Sequence, residues 1–120
     1  MRRALLAAAL AAATLSSGPT AAQDEKRAET IDGLVRIVGA QAGIVLYCRT
    51  FYTVDDTVSE GLSRTVRRAL DAALGARKAR TAIAEEGRRV AKTIAEVGAE
   101  QWCADQRDIL NTDGVRVFVD

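Results

Sequence analysis

Histidine is absent from the 120 residues of this chain, and proline occurs once, at Pro19. The chain therefore lacks the side chain that most often serves as a general base or a metal ligand. Because proline breaks helices, its absence after residue 19 permits long helices through the rest of the chain. Aromatic residues are also scarce, so alanine, valine, isoleucine and leucine must fill most of a core. The aromatic residues are Tyr47, Phe51, Tyr52, Trp102 and Phe118.

Familiar catalytic motifs are missing as well. Ser59 and Ser63 are the only serines after residue 22, and neither lies in a nucleophile elbow. The adjacent carboxylates of Glu85 and Glu86 point about 100° apart on a helix, so they do not converge on one substrate atom. No alternating Asp or Asn ligands with a glycine turn form a calcium loop. We expect no enzymatic activity, no cofactor and no metal site, and keep an enzyme of unknown class as an alternative.

The N-terminus has the three parts of a secretory signal peptide. Two arginines begin it, and residues 4–15 form an uncharged run of 12 residues. Small residues at 20–22 then form a cleavage motif before Gln23. The run is too short for a transmembrane helix, which needs about 20 residues. We predict a signal peptide over 1–22, a mature chain over 23–120 and a periplasmic or secreted location. An uncleaved interfacial anchor is the alternative.

The predicted mature chain is nearly neutral, with 15 basic and 16 acidic residues. Nucleic-acid-binding domains are usually clearly basic, so we expect no nucleic-acid partner. Judged by unbroken apolar runs, no segment after residue 22 is long enough to span a membrane, and no transmembrane segment is expected in the mature chain. Its 98 residues are enough for a single domain with one modest core.

Cys48 and Cys103 are the two cysteines of the chain. In an oxidising compartment such a pair most simply forms a disulfide. The bridge would close a loop of 55 residues. In the chain-entropy model such a bridge stabilises a fold by about 4 kcal/mol. A free or redox-active pair is the alternative, although the C-x-x-C spacing of redox motifs is missing.

Four stretches repeat apolar residues with the three- to four-residue spacing of an amphipathic helix. The predicted helices run from about 24 to 49, from Thr57 to Gly75, from 77 to 97 and from 100 to 110. Thr57 and Glu60 form a predicted capping box, and Gly75 is a C-terminal stop. A shift of the apolar stripe predicts a break near Gly98, with one continuous helix over 77–111 as the alternative. The predicted fold class is all-α, a small three- or four-helix bundle with one disulfide.

Three further details concern packing and charge within these helices. In the first helix the main apolar stripe includes Val45, while Ile44 lies off it, which predicts burial on more than one side. The same helix contains Gly43, one of several glycines whose spacing often lets another helix come close. In the third helix, Glu85 and Arg89 are four residues apart and form a predicted exposed ion pair.

A tail over about 112–120 follows the last predicted helix. It begins with turn chemistry at Asn111-Thr112-Asp113-Gly114. Residues 115–119 then have the pattern of a strand, but no second strand signal exists for them to pair with. We predict an extended tail that lies on the bundle, with pairing to the same tail of a second molecule as the alternative.

Four of the five aromatic residues lie close to the cysteines in the sequence, so we expect them to meet around the disulfide. The simpler interpretation is a core cluster stapled by the bridge. The alternative is an apolar binding surface for a ligand or an unfolded client, because a tyrosine has an apolar body and a polar tip. The predicted apolar binding residues are Tyr47, Phe51, Tyr52 and Trp102.

Charge is segregated along the chain. Residues 64–92 carry nine basic and three acidic side chains, a net charge of +6, while both flanking regions are acidic. The simpler interpretation is that acidic helices pack beside basic ones and the charges screen each other. The alternative is a surface that binds anionic lipid, lipopolysaccharide or an acidic partner. Its predicted residues are Arg64, Arg67, Arg68, Arg77, Lys78 and Arg80.

The general plan is a signal peptide followed by a short helical domain with one long-range disulfide. In outline it is similar to periplasmic acid-stress chaperones of the HdeA type. The resemblance covers architecture, with no motif matched residue by residue, and it implies a chaperone role. We therefore expect a non-enzymatic periplasmic or secreted protein that acts by binding, either to a protein partner or as a holdase. Anion recognition is the alternative function.

Overall fold

In the computed structural model, which describes residues 20–120, the chain folds into four α-helices. They are α1 (Ala21–Tyr47), α2 (Asp56–Leu74), α3 (Ala76–Val97) and α4 (Ala99–Thr112). Cys48 and Cys103 form a disulfide, with Cα atoms 5.5 Å apart. The prediction of an all-α bundle with one disulfide is confirmed. The predicted signal peptide lies outside the described residues except for positions 20–22.

Two glycines separate the last three helices. Gly75 and Gly98 have φ angles of 83° and 90°, a region that favours glycine because it has no Cβ. The N–H of each donates to the carbonyl four residues earlier and so ends one helix before the next begins. The predicted stop at Gly75 and the predicted break near Gly98 are confirmed, so two helices cover 77–111.

The start of α2 differs from the prediction. Asp55, not Thr57, is the N-cap, and its carboxylate accepts a hydrogen bond from the Val58 N–H at 3.1 Å. Glu60 accepts from an arginine one turn later instead of closing a capping box. Asp55 is selected because its own N–H donates to the Val117 carbonyl at 2.7 Å, which holds this residue extended just before the helix.

α1 is the central helix and contacts each of the other three. It runs in the same direction as α3, since Gly39 faces Glu86 and Gly43 faces Val90. A Cβ atom at Gly43 would lie 2.7 Å from the Trp102 ring and 2.9 Å from the Val90 side chain. This glycine therefore lets both α3 and α4 approach α1 closely, which confirms the expected close packing and the burial of α1 on more than one side.

The core has two parts. The part that we call the disulfide end consists of Ile44, Cys48, Val90, Ile94, Trp102, Cys103, Val117 and Phe118. The part that we call the aliphatic end consists of Val35, Val38, Val66, Leu70 and Ala79. At the disulfide end, α4 packs on a different side of α1, so a different face of α1 is buried there. Ile44 is consequently buried, in agreement with the predicted burial of α1 on more than one side, whereas Val45 of the predicted stripe is exposed.

The tail after α4 lies extended on the disulfide end, with Val117 and Phe118 buried. The Val119 N–H donates to the Thr53 carbonyl at 3.1 Å, and Val54 and Phe118 form a single antiparallel bridge. The tail therefore lies extended on the bundle, and it pairs with a second segment although the sequence shows no second strand signal. Its partner is the loop before α2, which is too short to show a strand pattern in the sequence.

α1 is, among the described helices, the one that is long and apolar enough to cross a membrane by length and composition. The core helix of a soluble protein meets the same criterion, and 33% of the relevant window is buried in this fold. A signal sequence near the N-terminus also meets this criterion, so one such helix is weak evidence for a membrane span. Charged residues such as Asp32 and Arg36 interrupt its apolar residues, so α1 contains no unbroken apolar run long enough to span a membrane.

Candidate functional site

Three aromatic side chains meet around the disulfide. Tyr52, Trp102 and Phe118 pack at the disulfide end with both cysteines, and the Tyr52 and Phe118 rings meet edge to face with centroids 5.6 Å apart. Tyr47 and Phe51 lie outside this cluster and are exposed. Of the four aromatic residues expected to meet around the disulfide, Tyr52 and Trp102 therefore do so, and Tyr47 and Phe51 do not. The expectation did not include Phe118, which also packs around the disulfide. Its place in the strand-like tail is a signal that its side chain packs against the bundle.

Tyr52 is enclosed further by Arg107 of α4. The guanidinium carbon lies 5.1 Å from the centre of the Tyr52 ring, a cation–π arrangement worth about 0.5–1 kcal/mol near a surface. Arg107 Nη2 also donates to the backbone oxygen of Asp120 at 2.6 Å, and the Asp120 carboxylate accepts from the Thr53 N–H at 2.8 Å. Tyr52 is thus part of the structure that holds the tail.

Exposed apolar side chains are concentrated where α1 ends. Four of the seven exposed large apolar residues in the described chain lie within residues 45–51. We call them the α1-end patch: Val45, Leu46, Tyr47 and Phe51. Leu46 is 73% exposed, more than any other large apolar residue described. Single exposed apolar side chains are ordinary, so the concentration of four in one short stretch makes this end of α1 a candidate contact surface.

A groove of about 640 Å³ adjoins the patch and lies between α1 and α2. We call it the α1–α2 groove. Its α1 wall is mainly apolar and consists of Val38, Gln41, Ala42, Val45 and Leu46. Its α2 wall is polar and charged and consists of Asp56, Ser59, Glu60, Ser63, Arg64 and Arg67. The arrangement offers an apolar strip beside charges of both signs.

Ion pairs occupy the charged wall. Arg49 pairs with Asp56, and Arg64 donates to Glu60 at 3.0 Å. The hydrogen bond to Asp56 raises the pKa of the Arg49 guanidinium. All four side chains are about half exposed or more, so solvent screens both pairs and each contributes little. A bound molecule could therefore replace either partner at small cost.

The six predicted anion-binding side chains are all exposed and are spread along α2 and the start of α3. Arg64 and Arg67 border the α1–α2 groove. The other four lie in the second half of α2 or the first turns of α3, and they are Arg68, Arg77, Lys78 and Arg80. With a rise of 1.5 Å per residue, Arg64 lies about 16 Å along α2 from the turn at Gly75 that precedes Arg77.

Arg89 pairs with Glu86 and not with the predicted Glu85. Its Nε lies 2.9 Å from both carboxylate oxygens of Glu86. Glu86 is buried because it packs over Gly39, and pairing offsets the cost of burying a carboxylate. The hydrogen bond with Glu86 raises the pKa of the Arg89 guanidinium. The rule that residues four apart pair on a helix predicted the wrong partner for Arg89. The space above Gly39, which accommodates Glu86, is not visible in the sequence.

Within residues 20–120, no group of three or more His, Cys, Asp or Glu side chains could hold a metal ion. Comparison with known protein families, curated protein sequences and solved structures found no match for this chain. No relative therefore supplies a function, a ligand or a catalytic residue for it.

Proposed function

We propose that this chain is a non-enzymatic binding protein that takes up an apolar segment of another protein at the α1-end patch and the α1–α2 groove. The observation that carries this proposal is the concentration of four exposed large apolar side chains within residues 45–51. Contact between such a surface and water is unfavourable, and a bound partner removes that contact. Trp102, which was predicted to join this surface, is only 5% exposed and supports it from the core.

The patch is rigid, which favours binding. Ile44 and Cys48 are fully buried on either side of Val45, Leu46 and Tyr47, and the disulfide fixes Cys48 to α4. The last turn of α1 is therefore held in one position. A surface that is already ordered loses less conformational entropy when a partner binds.

The segment that fits best is an amphipathic helix of an unfolded or partly folded client protein. Two neighbouring helices leave a groove that accepts the side chains of a third. The apolar face of such a helix would contact Ala42, Val45 and Leu46. Its charged residues of either sign could exchange into the exposed ion pairs of Asp56 and Glu60.

We further propose that the protein acts in the periplasm or outside the cell. The N-terminal residues with signal-peptide features and the disulfide support this location. Cleavage before Gln23 would remove the cap of α1, because the Thr20 hydroxyl accepts from the Gln23 N–H at 3.2 Å. Intact-mass measurement of the native protein tests the location: a start at Gln23 is expected, and a start at Met1 with two free thiols would contradict export.

The binding proposal can be tested with reduced, carboxymethylated α-lactalbumin, a permanently unfolded client, carrying a fluorescent label. Fluorescence anisotropy should show saturable binding to the disulfide-bonded protein. Leu46→Lys should weaken that binding at least tenfold, because it places a charge in the middle of the patch. Ile109→Lys is the matched control, since Ile109 is also exposed (53%) but lies on α4 outside patch and groove. No binding, or equal loss in both variants, would contradict the proposal.

Anion recognition is the second candidate function. It is supported by five exposed basic side chains that form no ion pair within the described residues: Arg67, Arg68, Arg77, Lys78 and Arg80. Vesicles with an anionic lipid should then bind the protein, and binding should fall steeply as salt is raised. Binding that ignores salt, or that survives Arg77→Glu with Arg80→Glu, would contradict this role.

A further inference from the structure

A second pocket, of about 380 Å³, lies where all four helices and the tail meet. We call it the Trp102 pocket. Its apolar lining includes one or more residues from each helix: Ile37, Ala40, Leu62, Val90, Trp102 and Leu110. The volume falls within the roughly 300–1,000 Å³ of small-molecule sites, which are often found between the helices of bundles. Gln41 borders both this pocket and the α1–α2 groove; the apolar side chains of the two are different.

The way in which α4 is anchored explains why the space is open. Its first turn is held tightly to α1, because the Trp102 ring packs where Gly43 has no side chain and Cys103 is bonded to Cys48. Two turns later Ile109 borders the pocket without filling it and is 53% exposed. The Trp102 ring therefore forms a fixed side of the pocket, and the side next to Ile109 is accessible.

One buried polar side chain at the pocket has hydrogen-bonding capacity to spare. Gln41 is only 2% exposed, and its side-chain oxygen accepts from the Ser59 hydroxyl at 2.8 Å. Within residues 20–120 the other end of its amide makes no hydrogen bond. Because the amide nitrogen is not completely shielded from solvent, a ligand in the pocket can accept its hydrogen bond and so gain affinity and a defined orientation.

The charges at the pocket do not select an anion. Arg36 borders it but is paired with Asp32 at 3.0 Å, and Arg89 is paired with Glu86. Asp113 adds a carboxylate to the same lining. The lining itself therefore holds two cations and one carboxylate, but both cations are already paired with carboxylates outside the lining, so no unpaired cation selects an anionic ligand.

From these observations we infer that the Trp102 pocket binds a small, neutral, largely apolar molecule that hydrogen-bonds to the Gln41 amide. The inference does not depend on client binding at the α1-end patch, because the two surfaces differ in their apolar residues. It assigns the protein a second ligand class besides an apolar protein segment.

Trp102 is the only tryptophan of the chain, so its fluorescence reports directly on this pocket. The probe is N-phenyl-1-naphthylamine, a neutral apolar dye that absorbs where tryptophan emits. Titration into the disulfide-bonded protein should give saturable energy transfer from Trp102 with one dye per chain. Ala40→Phe should weaken binding at least tenfold, because it fills the pocket. Ala42→Phe, two residues away on α1 and in the other groove, should leave the affinity within twofold.

A second variant keeps the test decisive if Ala40→Phe does not fold. Ile109→Lys changes an exposed position and should fold, and its charge at the pocket should weaken dye binding at least fivefold. The absence of saturation, or wild-type affinity in both pocket variants, would overturn the inference, as would equal weakening by Ala42→Phe. The sulfonated dye 8-anilino-1-naphthalenesulfonate should bind more weakly than the neutral one. Equal or tighter binding would overturn the choice of a neutral ligand.

Discussion

The two ends of this bundle are built differently. The aliphatic end is formed by α1, α2 and α3 and is packed with valine, leucine and alanine, while its outer surface carries the basic turn after Gly75. The disulfide end adds α4 and the tail, and the five aromatic residues of the chain lie in or beside it. The Cys48–Cys103 bridge and the α1-end patch also belong to this end. The Trp102 pocket lies where the two ends meet, because Ile37 and Leu62 of its lining pack against the aliphatic end.

The difference teaches how stability and binding are divided in a small domain. The aliphatic end is held together by the packing of amphipathic helices, and none of its large apolar side chains is as exposed as those of the α1-end patch. At the disulfide end the bridge supplies stability without using apolar surface. Residues such as Leu46 and Tyr47 can then stay exposed, and the space beside Trp102 can stay open. We infer that the covalent bond permits the binding surfaces to exist.

The largest expected effect comes from removing the bridge. Cys48→Ser or Cys103→Ser should each lower the free energy of unfolding by about 4 kcal/mol, because a loop of 55 residues is no longer closed in the unfolded chain. Urea denaturation measures the change. The double variant should be no less stable than either single one. Clear additivity of the two losses would show that the cysteines do not act as a pair.

A smaller effect with opposite signs at the two ends is expected from glycine substitutions in α1. Gly43→Ala should lower stability by about 1 kcal/mol, because crowding Trp102 and Val90 outweighs the gain in helix propensity. Gly33→Ala should raise stability by about 0.5–1 kcal/mol, since nothing lies within 4 Å of the added methyl group. Denaturation midpoints that move in the same direction for both variants would contradict the close packing at the disulfide end.

The smallest effect concerns the junction between the tail and α2. Asp55→Ala should cost about 1 kcal/mol, because the Val58 N–H loses its capping carboxylate. Thr57→Ala is the matched control and should change stability by less than about 0.5 kcal/mol, since Thr57 is exposed and caps nothing. A larger loss of stability for Thr57→Ala would show that Thr57 caps α2, as the sequence pattern predicts.

Much of the fold could be predicted from local patterns. Helix periodicity, the glycines at 75 and 98 and the pairing of two cysteines depend on neighbouring residues or on simple counting, and each was predicted correctly. The details that failed depend on contacts between distant segments. Asp55 is selected as a cap by the tail, and Glu86 pairs with Arg89 because Gly39 leaves room for it. Neither relation is visible along the sequence.

The candidate sites could be predicted only in part, for the same reason. The sequence showed aromatics beside both cysteines, but the rotation of α1's buried face by α4 decides which side chains remain exposed. The predicted stripe is followed through Val38 but not at Val45, and Leu46 lies one position beyond it, so the stripe did not indicate that Leu46 is exposed. Gln41 fits the spacing of that stripe between Val38 and Val45, which is the signal that could have marked it as a buried polar residue.

Hydrogen–deuterium exchange with an unfolded client tests most directly whether binding is confined to the disulfide end. Exchange would be followed with and without excess carboxymethylated α-lactalbumin. We predict slower exchange in residues 42–52, which include the α1-end patch, and no change in residues 74–82 at the aliphatic end. Protection concentrated in 74–82, or equal exchange everywhere at client concentrations that saturate binding, would contradict the account.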